Sequence, residues 1–134
     1  MGESLILETT FLIDLERESI RGEDGPAVEF LVQHPDDAFL LTFTVAGELA
    51  AGFETRDRGR WEAFLGPFHV LPCSHEVCWE YGKLYRHLRG IGMLISANDL
   101  WIGATAVAAG LPVVTANVSH FQRVPDLTVV TYRE

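Results

Sequence analysis

The sequence predicts an α/β fold, a three-layer α/β/α arrangement in which a mostly parallel five-stranded sheet is flanked by helices. Three observations carry that reading. Short strand-like runs alternate with longer helical segments along the whole chain. The runs are continuously apolar, as in strands covered on both faces, rather than alternating. In the stretch Ser96–Phe121, SANDLWIGATAVAAGLPVVTANVSHF, a long alanine-rich run is stopped by Gly110 and followed by a β-branched run, the pattern of helix, glycine stop and strand. With 134 residues, 48% of them apolar, the chain is expected to form one domain, 1–134, with a core of its own.

The elements follow in order. Ser4–Leu7 reads as a buried first strand with Glu8 at its carboxyl end, and Thr9 or Thr10 opens the first helix. Gly22–Pro26 is a loop whose proline begins a second helix, Ala27–Gln33, with Val28, Leu31 and Val32 on one side. Phe39–Thr44 is the second strand. Val45–Phe53 is a mostly apolar helix carrying Glu48 on the same stripe as Val45 and Leu49. Arg56–Leu65 is a charged helix with Trp61, Phe64 and Leu65 as its apolar side, a face suited to a core or a dimer seam. Phe68–Leu71 makes a third strand, and Ser74 starts a long helix to Arg89 that Gly90 to Gly92 ends. Asn98 and Asp99 stand in front of the helix Leu100–Ala109, the fourth strand is Pro112–Thr115, and Asn117 falls just past its end. A brief turn at Ser119–Phe121 leads to a fifth strand, Leu127–Tyr132.

The formal net charge of −9 excludes a general polyanion binder, whose footprint is a broad basic face. Lys83 is the only lysine; the arginine groups Arg56, Arg58, Arg60 and Arg86, Arg89 are the candidate local basic patches. The two cysteines, Cys73 and Cys78, lie near His69 and His75, but they are five apart in a segment that reads as helix. That spacing puts them on different faces, and there is no second pair, so the expectation is ordinary reduced thiols rather than zinc. No stretch is long and apolar enough to span a bilayer and residues 1–10 lack a secretory pattern, so a cytoplasmic protein is expected.

The chemistry lies in three carboxylates and an amide. Glu8, Glu48 and Asp99 fall at strand ends or helix starts that a parallel sheet can bring to one rim, with Asn117 beside them and Asn98 next to Asp99. Taken singly, each has a plain alternative: Asn98 or Asp99 as a helix cap, Asn117 as a turn residue, Glu8 and Glu48 as solvated side chains. If they converge, like charges need a counter-charge, and a divalent cation supplies one. Hard oxygen donors without sulfur or imidazole favour Mg²⁺ or Mn²⁺, which polarise a phosphodiester and activate a water with no need of a serine or cysteine nucleophile.

Three segments resemble a known family. ETTFLIDL looks like the opening strand and helix of PIN-domain proteins, and FTVAGELAAGF looks like their Glu-bearing helix. WEYGKLYRHLRGIGMLISANDLWIGATAVAAGLPVVTANVSHFQRVPDL is similar to the C-terminal half of VapC toxin ribonucleases. The resemblance is weak over Glu18–Asp37 and strong over Tyr81–Leu127. It implies a PIN-like fold in which Glu8, Glu48, Asp99 and Asn117 are the catalytic and metal-binding positions, with Thr10 as the small polar residue beside the first acid. It further implies a Mg²⁺-dependent endoribonuclease that acts on single-stranded or looped RNA and leaves a 5′-phosphate and a 3′-hydroxyl. The implied assembly is a homodimer silenced by a VapB-like antitoxin whose C-terminal segment lies across the acidic site, where an arginine or lysine can replace the metal. The sequence departs from the family pattern at Glu8, where the family has Asp; the extra methylene displaces the carboxylate by roughly 1 Å, enough to cost on the order of a hundredfold in rate. Two other classes compete. One is a PIN-like binding module without catalysis. The other is a different acidic α/β enzyme, which the residues disfavour: Glu8-Thr9-Thr10 offers no nucleophilic Asp for an aspartyl-phosphate phosphatase, and Lys83 is in the wrong element for a phospho-receiver.

Overall fold

The computed structural model describes residues 2–52 and 57–133. Twelve elements follow in the order β1 Ser4–Leu7, α1 Thr9–Arg21, α2 Pro26–Gln33, β2 Ala38–Thr42, α3 Phe43–Gly52, α4 Arg58–Leu65, β3 His69–Leu71, α5 His75–Gly90, α6 Ala97–Ala109, β4 Val113–Val114, α7 Val118–Phe121 and β5 Val129–Val130. The five strands form one sheet in the order β3, β2, β1, β4, β5, and every neighbouring pair is parallel. The chain therefore steps outward from β1 to β3, returns past β1, and steps outward the other way. Right-handed crossovers then cover opposite faces of the sheet, and the reversal falls between β1 and β4. At that reversal the carboxyl ends of the two strands, Leu7 beside Val114, open onto a crevice where ligands of such sheets bind.

The main core is built from the apolar runs that the sequence displays: Ile6, Leu7, Leu41, Val113 and Val114 from the sheet, with Phe11, Leu12, Val45 and Ile102 from the helices, all essentially without solvent contact. A second cluster, Leu84, Leu88, Ile95, Leu100 and Val124, joins α5 to α6. Gly103 lies between these helices, where an added Cβ would come within 3.2 Å of Val124, so only hydrogen fits comfortably.

Several predicted boundaries shift for local reasons. The second strand ends at Thr42 rather than Thr44, because the Thr42 hydroxyl accepts the Val45 N–H and turns the chain into α3 at once. Residues 53 and 56, predicted to end one helix and begin the next, lie outside the described residues; α4 starts at Arg58 under an Asp57 cap that accepts the Arg60 N–H at 3.2 Å. The turn at Ser119–Phe121 is part of α7. The last two strands are only two residues each, shorter than their β-branched runs. Trp61 faces inward, donating its indole N–H to Ala46 O at 3.0 Å and packing against the main core.

Glu18 does what no surface carboxylate does. It is buried in α1, and its two oxygens accept the N–H groups of Gly25, Ala27 and Val28 at 2.8, 3.0 and 2.9 Å. Gly25 offers no side chain to cap α2, so a carboxylate from the preceding helix takes the free amides of its first turn. Burial pushes the Glu18 carboxyl up, but the three amide bonds outweigh it and hold it below the ordinary 4.5.

Candidate active site at the carboxyl edge of the sheet

Glu8 follows β1 directly and caps α1: its Oε2 accepts the Thr10 N–H at 3.2 Å, while its backbone N–H pairs with Val114 O at 3.0 Å. A carboxylate in this place faces the free amides of the first turn, which favour negative charge. Its Oε1 accepts two hydroxyl protons, from Thr10 at 2.7 Å and from Thr115 at 2.5 Å. Each threonine in turn accepts a backbone N–H: Thr10 Oγ1 from Ala116 across the crevice at 3.0 Å, and Thr115 Oγ1 from Asn117 two residues on at 2.8 Å. The two hydroxyls thus stitch the end of β1 to the end of β4 through one carboxylate. Only 3% of Glu8 is exposed, and that burial raises its carboxyl above the ordinary 4.5. The threonine hydroxyls and the Thr10 amide oppose the rise, and the negative charge of Asp99 adds to it.

Asp99 reaches the same edge from α6. The sequence places Asn98 and Asp99 in front of this helix as cap candidates; the structure makes Ser96 the cap and puts both inside the first turn, with the Ser96 Oγ accepting the Asp99 N–H at 3.2 Å. Asp99 is thereby released from capping, and its Oδ2 instead lies 3.2 Å from His120 Nδ1. Asn117, which begins α7, brings its amide within 2.8 Å of the same imidazole nitrogen. Glu48 completes the set from α3, where its Oε1 accepts the Thr9 hydroxyl at 2.9 Å.

The four predicted residues therefore gather at one rim as three linked groups: Glu8 with Thr10 and Thr115, Glu48 with Thr9, and Asp99 with His120 and Asn117. Among the described residues, no three His, Cys, Asp or Glu side chains converge closely enough to hold a metal ion between them. The donor chemistry still suits a hard divalent cation. Carboxylate and amide oxygens predominate, and Glu8 Oε2 takes a single amide bond, which leaves it lone-pair capacity. Asn98 is exposed on the first turn of α6. Of the arginines, Arg58 is paired with Glu62 at 2.7 Å, Arg60 and Arg89 are exposed, Arg86 lies over the Trp79 ring at 5.8 Å, and Arg56 lies outside the described residues.

Sequence reasoning missed His120, Thr9 and Thr115. His120 sits three residues after Asn117, a spacing that aligns side chains only once the segment is known to be helical. Thr115 looks like one more β-branched residue in a strand, yet it is buried with its hydroxyl spent on Glu8.

Comparison with known proteins decides the family: the PIN domain matches residues 5–127. The chain belongs to the PIN-domain family. Within it, this PIN domain is 32% identical over 99 residues to ribonuclease VapC1 of Haemophilus influenzae strain R2866, covering 69% of this chain and 73% of that protein. It is 30% identical over 131 residues to ribonuclease VapC of Rickettsia bellii strain RML369-C, covering 95% of each. Its fold superposes on the VapBC-1 structure from nontypeable Haemophilus influenzae with a TM-score of 0.83 at 27% identity, over 98% of this chain and 99% of that one. The VapBC2 structure from Rickettsia felis, bound to a DNA fragment from its promoter, shares the fold at a TM-score of 0.81 and 22% identity. The five-stranded parallel sheet of this PIN domain is thus the architecture of VapBC toxins.

Proposed function

We propose that this PIN domain is a Mg²⁺- or Mn²⁺-dependent endoribonuclease, the toxin of a toxin–antitoxin pair. The observation that carries the reading is the placement of Glu8, Glu48, Asp99 and Asn117, in three separate hydrogen-bonded groups, along the edge where the sheet reverses, on a chain similar along most of its length to VapC ribonucleases. Asp99, Glu48, Glu8 and Asn117 would hold the cation. The chemistry supplied when it is bound is polarisation of a phosphodiester oxygen and activation of a water, with release of a 5′-phosphate and a 3′-hydroxyl.

The chain's own side chains position that machinery. His120 Nδ1 stands beside both the Asp99 carboxylate and the Asn117 amide nitrogen, donating to the first when it carries a proton and accepting from the second when it does not; Thr9 orients Glu48, and Thr10 and Thr115 clamp Glu8. On a chain of net charge −9, the RNA backbone must be held locally, and Arg58, Arg60, Arg86 and Arg89, with Arg56, are the groups for it. The partner proposed is a VapB-like antitoxin, as in the VapBC complexes that share the fold, and the assembly a homodimer.

Cleavage of a mixed RNA pool, with Mg²⁺ and with EDTA and free of antitoxin, tests the reading. Loss of activity in chelator and its return with Mg²⁺ or Mn²⁺ are expected. Activity that persists in EDTA places the chemistry elsewhere. One observation favours a second reading, a PIN module that binds RNA without cutting it: Glu8 is buried and already holds three donors. RNA binding with no cleavage under any of these metals would select it.

A further inference from the structure

We propose that Cys73 and Cys78 form an oxidisable dithiol whose intramolecular disulfide staples the start of α5. The sequence alone puts these residues on different faces of one helix. The structure corrects this, because Ser74 is the cap, with extended backbone, and Cys73 therefore lies outside the helix, in the segment that enters it. Cys78 lies one turn inside, with its N–H on Ser74 O at 3.0 Å. The residue before a helix cap and the fourth residue of the helix are the two positions that close on each other in a hydrophobic staple. Here they are both cysteines, and their sulfurs stand 3.7 Å apart.

No third cysteine competes for either thiol, and Cys73 has one other contact, a donation to Ser74 O at 3.9 Å. The chain has only these two cysteines, both exposed, so the intramolecular partner is unique and a small oxidant can reach it. The cap bond from Val77 N–H to Ser74 Oγ at 3.3 Å holds the turn between them in place. Closing from contact to a covalent bond of about 2.05 Å requires side-chain rotation at two exposed positions, without displacement of a core residue. Neither cysteine touches Glu8, Glu48, Asp99 or Asn117, so the inference stands apart from the proposed nuclease chemistry.

The oxidant is a hydroperoxide or a low-molecular-weight disulfide. With a hydroperoxide, one thiolate takes the terminal oxygen as the O–O bond breaks, leaving an alcohol or water and a sulfenic acid. The second thiol then displaces water to form the S–S bond. Two thiols and one peroxide thus give one disulfide, one water and the reduced peroxide. With a small disulfide, two successive exchanges release two small thiols.

The test equilibrates the full chain across a series of reduced and oxidised glutathione and reads free thiols, intact mass and mobility on a non-reducing gel. The expected result is a chain free of interchain cross-links, lighter by two hydrogens, that loses both labelling sites together. Its thermal midpoint should rise by roughly 2–5 °C over the reduced chain, with reversal by dithiothreitol. Cys73→Ser and Cys78→Ser should each abolish both the mass change and the rise. Retention of two labelled thiols at the oxidising end, disulfides only between chains, or an intramolecular bond that lowers the midpoint would each overturn the proposal.

Discussion

At the scale of single residues, the site turns on how each carboxylate is employed. Asp99 is relieved of capping by Ser96, so Asp99→Asn keeps the helix start and removes only charge. The expected outcome is loss of metal-dependent RNA cleavage with an unchanged thermal melt, measured side by side on the same preparations. Glu8 stands where the resemblance read from the sequence implies an Asp. Glu8→Asp retains charge but shortens the reach to Thr115 and Thr10 by roughly 1 Å, and is expected to change Mg²⁺-dependent cleavage by up to a hundredfold. A rise marks a site tuned to Asp, a fall marks a backbone that has settled around Glu, and an unchanged rate would remove Glu8 from the catalytic machinery. Glu18 makes a separate, structural prediction. Its carboxyl is held below 4.5 in the folded chain, so its contribution to stability is complete above that value and is lost as the pH falls through the lowered folded value. Glu18→Gln leaves only one oxygen for three amides and should cost about 1.5–3 kcal/mol at neutral pH. Denaturant melts of both forms should show that gap closing at strongly acid pH. The carboxylates of the candidate site were legible in the sequence because acidic residues at strand ends and on apolar helices are anomalies. His120 was not, because its role depends on a four-residue helix that no periodicity could reveal.

At the scale of elements, the sequence placed every strand and every helix except α7, which it read as a turn, but mistook how several begin and end. The reason is the same each time: side-chain hydrogen bonds, rather than hydrophobic runs, set the termini. Thr42 cuts β2 short, Ser96 starts α6 earlier than its apolar run, and Glu8 starts α1 in place of the threonines after it. Glycine ends were read correctly where the backbone requires them. Gly110 takes φ of 68° after α6, while the Leu111 N–H returns to Ala106 O at 3.0 Å. An added Cβ there meets no atom within 4 Å, so Gly110→Ala isolates the conformational cost. It should lower stability by roughly 1–2 kcal/mol in a urea melt, without change in cleavage. At the far end of the chain, the Tyr132 hydroxyl donates to Asp14 Oδ2 at 2.5 Å and Arg133 pairs with the same oxygen at 2.7 Å, tying the segment after β5 to α1. Burial and the Asp14 bond hold the Tyr132 proton well above its ordinary range, so the tie persists through alkaline pH.

At the scale of the whole molecule, parallel topology was legible because its strands are apolar throughout. The order of those strands was not, since an alternation of strands and helices does not say where the chain reverses. That reversal is what joins Glu8 to Thr115, residues 107 positions apart. It also fixes when the molecule becomes complete. A chain emerging from the ribosome presents Glu8 first, but the second threonine follows only 107 positions later, with the partner strand and Asn117 beside it. Pairing across so long a separation is slow, and it cannot begin before β4 is out of the exit tunnel. A site built in this way stays unassembled until β4 has been made. Whatever chemistry that edge performs therefore begins only once β4 has joined β1, and its onset is set by the chain's own topology.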